Sequence, residues 1–223
     1  MSTASLRWPA RSHRTRPRLR TGGVAGMLML PLFAGVVVVL TWAEWDFLHD
    51  LGWTVVHEHD VNYPSSLARG DLGAVQVLNF AGLGVLAFLF ARGLRTQFVR
   101  RRAGILATGG FGAVALGGLL SAFPTDLPGE PTSWHGLLHG AGFVLLMLGN
   151  LVAFVSAGLA LRGAPGWGRM WIYSIANAAA AVLATVVLTP LGQVAFYVTL
   201  VLLLAYYGVL GLRMHRLAAR VDV

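Results

Sequence analysis

Three observations predict an all-α polytopic membrane bundle of six transmembrane helices. Apolar runs long enough to cross a bilayer recur along the chain, each such crossing needing about 20 residues. Charge alternates in sign from one connection to the next. No polar stretch approaches the size of a separate soluble domain. Composition agrees: 56% of the 223 residues are hydrophobic and 12% are charged, against roughly a quarter charged in a soluble domain. Mean hydropathy is +0.67.

The charge pattern orients the bundle. Lysine is absent, so all 17 basic residues are arginine. Arg7, Arg11, Arg14, Arg16, Arg18 and Arg20 precede the first apolar run. Arg92, Arg95 and Arg100 to Arg102 follow the second, Arg162 and Arg169 the fourth, and Arg213, Arg216 and Arg220 the sixth. Only Arg69 falls in an alternate connection. The acids do the reverse: Glu44, Asp46, Asp50, Glu58, Asp60, Asp71, Asp126 and Glu130 lie opposite, and Asp222 alone shares the arginine side. The positive-inside rule then puts both termini in the cytoplasm. This distribution explains the net charge of +8 as a topogenic signal with anionic-lipid contact, and nucleic acid is not an expected partner. Cysteine is absent, which excludes disulfides, thiolate metal sites and cysteine nucleophiles.

The elements follow in order. Residues 1–21 form a basic tail, expected to be cytoplasmic and disordered. The run at 22–43 is too long for a signal-peptide core and no small-residue cleavage motif follows it, so it is a retained first span with Pro31 inside. Residues 44–72 make the longest connection, rich in aromatics and acids, with Trp42, Trp45 and Trp53 suited to an interfacial belt. The second span covers about 72–91, and Gln76 and Asn79 share a face there. The third, 103–123, is dense in glycine, with Ala113 and Gly117 as a small-xxx-small pair that permits close helix approach. Pro124, Pro128 and Pro131 stop it, and Thr132 or Ser133 caps the fourth span at 135–161. The fourth is long enough for its first turns to reach water. The fifth covers 170–188 and the sixth 193–212, and 213–223 is a cytoplasmic tail. Polar residues inside the spans (Gln76, Asn79, Asn150, Ser174, Asn177 and Thr185) read as interhelical ties. None is ionisable, which argues against an ion path. The small side chains of spans three, four and five leave room for a lipid, sterol or quinone.

Two clusters are candidates for chemistry. His135 and His139 sit one turn apart on one helix face, and Asp126 lies on the approaching connection. Two imidazoles and a carboxylate would leave a fourth zinc position for water, with Glu130 or Glu44 as general base. The second cluster is His49, His57 and His59 with Asp46, Asp50, Glu58 and Asp60, which suits a cation or a pH response. His49 with Asp46 and Glu44 would alternatively extend the first cluster.

One set of short blocks resembles a known family. Leu51-Gly52-Trp53, Tyr63-Pro64-Ser65-Ser66-Leu67-Ala68-Arg69-Gly70, Leu72-Gly73 and Gln76-Val77-Leu78-Asn79-Phe80 come in order. Phe123-Pro124-Thr125-Asp126 and His135-Gly136-Leu137-Leu138-His139 complete the set. Together they resemble the bacterial DUF998 family over roughly residues 25 to 212. The resemblance implies six spans in a bacterial plasma membrane and carries no assigned activity or catalytic residues. Two functions are therefore expected: binding or sensing of a lipidic ligand, or an outward-facing zinc hydrolase of a lipid or amphiphile acting through Asp126, His135 and His139.

Overall fold

The computed structural model describes residues 15–54, 61 and 63–219. Arg7, Arg11, Arg14, His57, Glu58, His59, Asp60, Arg220 and Asp222 lie outside the described residues. Among the described residues the elements are helical: α1 (Thr15–Ala43), α2 (Trp45–Asp50), α3 (Gly73–Leu94), α4 (Arg101–Leu120), α5 (Trp134–Leu161), α6 (Met170–Val187) and α7 (Gln193–Ala219). All but α2 are long and apolar enough to cross a membrane. The protein is a polytopic membrane bundle of six candidate spans.

Both terminal helices run further than hydropathy alone indicates. Helix α1 begins at Thr15, so residues 15–21, expected as disordered tail, are helical. Its first turns carry arginines on one side and buried Leu19 on the other, while Gly22 packs against Gly93 and Met214. Helix α7 continues to Ala219 for the same reason: Met214, Leu217 and Ala218 are buried. An amphipathic turn lowers mean hydropathy without ending the helix.

Each span packs on its neighbours in sequence, and α7 returns to α1, so the bundle closes into a ring. The contact of Gly22 with Gly93 and Met214 brings the start of α1 and the ends of α3 and α7 to one level. That level, the arginine end, also receives the start of α4, the end of α5 and the start of α6. The opposite, acidic end carries Glu44, Asp46, Asp50, Asp71, Asp126 and Glu130, together with Arg69.

The α4–α5 pair is the most extensive contact in the bundle, and glycine makes it so. A Cβ on Gly110 would lie 2.7 Å from the Ala153 nitrogen, and one on Gly117 would lie 2.7 Å from the Gly142 carbonyl oxygen. The close-packing partner of Gly117 on its own helix is therefore Gly110, one heptad away, and the expected Ala113 is only half-buried. Gly109 and Gly112 meet nothing within 4 Å.

The polar residues within the spans tie segments together. Asn79 Nδ2 donates to the Phe33 carbonyl of α1 at 3.2 Å, and Gln76 Nε2 to the Pro64 carbonyl at 3.3 Å. Tyr207 of α7 donates to Asn150 Oδ1 of α5 at 2.6 Å. Helices α6 and α7 are joined by Ser174 to Tyr206 at 3.2 Å, Asn177 to the Leu202 carbonyl at 3.3 Å and Thr185 to Thr199 at 3.0 Å.

Substituting Gly110→Leu or Gly117→Leu forces α4 and α5 apart, and such overpacking costs about 1–3 kcal/mol. Thermal melting in detergent should fall for both, whereas Gly112→Leu, which meets open space, should melt no lower than the wild type.

Candidate functional site

The connection from α4 to α5 creates a local problem. Pro124, Pro128 and Pro131 lack backbone N–H donors, and at the half-buried start of the connection Phe123 and Pro124 still present carbonyls, where an unsatisfied polar group is costly. The two histidines supply donors. His135 Nδ1 lies 2.9 Å from the Pro124 carbonyl and His139 Nδ1 lies 2.7 Å from the Phe123 carbonyl. A carbonyl only accepts, so each imidazole carries its proton on Nδ1. One turn of spacing on α5 thus matches two consecutive carbonyls of the connection.

Ser133 fixes the start of α5. Its hydroxyl accepts from Gly136 N–H at 3.0 Å, the usual N-cap bond. The same residue gives both of its own donors to Asp126: Oγ to Oδ1 at 2.5 Å and N–H to Oδ2 at 3.0 Å. These bonds from Ser133 hold the Asp126 carboxyl below the usual carboxylate range, with smaller help from His135 and Arg69. A Cβ on Gly136 would collide with this carboxylate, so the position requires glycine.

A second carboxylate is committed nearby. Leu127 N–H donates to Glu130 Oε2 at 2.8 Å, and Arg69 meets Glu130 through two bonds of 2.9 and 3.0 Å. The backbone donor and then the guanidinium hold Glu130 low. Arg69 also donates to the Thr125 carbonyl at 3.1 Å. It therefore clamps the 3₁₀ segment at Ser65–Arg69 onto the α4–α5 connection, which explains the one arginine at this end.

The expected three-ligand metal set is not assembled. Among the described residues no group of three His, Asp or Glu side chains converges as a metal site. His135 Nδ1 lies 3.7 Å from Asp126 Oδ1 but faces the Pro124 carbonyl, and both Asp126 oxygens are held by Ser133. His139 has both nitrogens engaged: Nδ1 with Phe123, and Nε2 with Ser65 Oγ at 2.8 Å. Glu130, bound to Arg69, is placed as an anchor and not as a general base. Glu44 is buried and accepts from Leu72 N–H at 2.5 Å, tying the end of α1 to the start of α3.

His139 is also not at a water boundary; it is 6% exposed and edge-on to Phe80 at 5.6 Å. His49 stays on its own helix, 4.4 Å from the Trp45 ring, so it does not extend the Asp126 cluster. Trp53 leaves the expected interfacial belt: it is buried and stacks on Tyr63 at 4.8 Å, and Tyr63 in turn bonds Thr41 at 2.9 Å.

Beneath this cap lies a cavity of about 630 Å³. Phe33 of α1, Phe80 of α3 and Val114 of α4 line one side, and the halves of α5 and α7 nearest the acidic end line the other. The buried Asn150–Tyr207 pair closes it toward the membrane centre. Polar groups gather at its other end: Ser65, Ser121, Asp126, Thr132 and His139. Leu137 and Phe143 line it while remaining exposed, so it opens sideways between α5 and α7. The expected space among spans three, four and five is instead filled by close approach of α4 and α5, and the room lies toward α7.

Sequence reasoning missed Ser65, Ser121 and the clamping roles of Arg69 and Ser133. Arg69 alone carried a signal, as the one basic residue among acids. The family model for a protein of unknown function, DUF998, matches residues 53–213 of the chain. No curated protein and no solved structure matches it.

Because Asp126 and Glu130 are depressed, their contribution to stability is complete above the unfolded carboxyl range of about 3.9–4.3 and is lost as pH falls through their lower folded values. Wild-type melting should therefore drop below about pH 4, and Asp126→Asn/Glu130→Gln should melt lower at neutral pH with a flatter acid limb. An unchanged acid limb would contradict this assignment.

Proposed function

We propose that this chain, which belongs to the DUF998 family, holds a lipidic amphiphile in the cavity at its acidic end. The observation that carries this reading is the lining: a largely apolar chamber, open sideways between α5 and α7, with most of its polar side chains at the acidic extremity and the mutually bonded Asn150–Tyr207 pair at the other. A hydrocarbon tail in the chamber and a polar head among Ser65, Ser121 and His139 match that division. A volume of about 630 Å³ falls within the range of roughly 300–1,000 Å³ common for small-molecule sites. The membrane orientation belongs to the same proposal. Arginine at one end and carboxylates at the other favour both termini inside a bacterial plasma membrane, with the polar end of the cavity outside. Ligand would then enter from the outer leaflet.

Gly140 provides the test, because it lines the cavity and a side chain added there meets nothing within 4 Å. Native mass spectrometry of wild type extracted in mild detergent should show a stoichiometric amphiphile. Gly140→Trp should lose it while melting normally once stripped of lipid. Re-addition at about 100 times its Kd should stabilise wild type by about 2.7 kcal/mol and leave Gly140→Trp unmoved. Wild type that retains no amphiphile and is not stabilised by one would overturn the proposal.

A further inference from the structure

We propose that Ser65 and His139 form a nucleophile–base pair that cleaves the carboxylic ester of a neutral amphiphile seated in the cavity. The inference rests on the reading of that cavity as an amphiphile site and adds a reaction to it. Its geometry comes from two contacts that bear on one imidazole. The Phe123 carbonyl holds the His139 proton on Nδ1 at 2.7 Å, which leaves a bare lone pair on Nε2. Ser65 Oγ lies 2.8 Å from that nitrogen, so the hydroxyl donates to it. A serine hydroxyl bonded to a base that a third group orients is the general arrangement of an activated nucleophile, with a backbone carbonyl as the orienting group here.

The surroundings suit an ester. Both residues line the cavity, and Ser65 is only half-buried, so it is reachable from the chamber. Ser121 lines the same cavity, is 1% exposed, and its hydroxyl has no hydrogen-bond partner among the described residues. Its hydroxyl is therefore available to donate to a substrate carbonyl oxygen. Among the described residues the lining contains the Asp126 carboxylate and no arginine, because Arg69 is held by Glu130. A phosphate or free carboxylate would face the Asp126 carboxylate and no guanidinium of the described lining, whereas an uncharged glyceride-like ester meets hydroxyls.

The step balances with water as co-reactant. Ser65 Oγ bonds to the ester carbon while its proton passes to His139 Nε2. The carbon–oxygen bond to the leaving group breaks, and the departing oxygen takes that proton as an alcohol. Water then attacks the acyl-serine, giving its proton to Nε2, and Ser65 recovers it as the carboxylic acid leaves.

Two measurements test the pair. The first exposes purified protein to a long-chain fluorophosphonate and reads intact mass. One adduct should form on wild type, disappear in Ser65→Ala and slow by about 100-fold or more in His139→Gln. Glutamine can donate to Phe123 and accept from Ser65, so it preserves both bonds but cannot take the proton. The second uses the absence of cysteine: Ser65→Cys places the sole thiol of the chain on the cavity wall. An ordinary thiol titrates near 8.5. Alkylation of this one by iodoacetamide at about pH 6 should run at least tenfold faster with His139 intact than in the double variant Ser65→Cys/His139→Gln. Asp126 and Tyr63, the other titratable groups lining the cavity near this pair, are present in both arms. Wild type that carries an amphiphile yet forms no adduct, or a thiol whose rate ignores His139, would overturn the pair and leave the binding reading intact. An adduct on Ser65 in protein that never retains an amphiphile would support the pair and contradict that reading.

Discussion

The acidic end of this bundle is organised by a shortage of backbone donors. Pro124 in the half-buried start of the α4–α5 connection removes an N–H group, and the Phe123 and Pro124 carbonyls there still need partners. His135 and His139 meet that need at Pro124 and Phe123. The consequence extends beyond satisfaction. Once the Phe123 carbonyl takes the Nδ1 proton, the other face of His139 becomes an acceptor, and Ser65 from a segment 74 residues away docks on it. Arg69 then completes the closure through Glu130. A packing requirement and a candidate reactive geometry are the same set of bonds.

The packing of the spans follows a different rule. Hydrocarbon offers no hydrophobic drive between helices, so contact depends on close backbone approach and a few polar ties. Gly110 and Gly117 let α4 meet α5, Gly84 receives α4 near Gly118, and Gly26 lies against Tyr207 and Phe90. The α4–α5 contact is consequently tight along its length, from Gly110 against Ala153 to Gly117 against Gly142. The large volume lies where α5 and α7 diverge above the Asn150–Tyr207 bond.

Much of this was legible from sequence, for physical reasons that also set the limits. Span positions follow from apolar length, which is a local property; the largest boundary changes are where α1 and α7 continue as amphipathic turns with buried Leu19 and Met214, and α3 and α4 shift by up to three residues. The His135–His139 spacing placed both rings on one face, but spacing does not name a partner. Their partners are carbonyls and a serine brought by other segments, and carbonyls are present at every residue. Ser65 is one serine among several until the fold sets it beside Nε2. Glycine density misled about room, because small residues reduce the distance between helices more readily than they leave a void.

Nitrogen-15 NMR of histidine-labelled protein, with the His139 signals assigned by their loss in His139→Gln, tests the donor-shortage account most directly. The account predicts a neutral-state proton on Nδ1 of His139 and an unprotonated Nε2. A proton on Nε2 with Nδ1 bare would contradict it, because the Phe123 carbonyl would then lack its donor and Ser65 its acceptor.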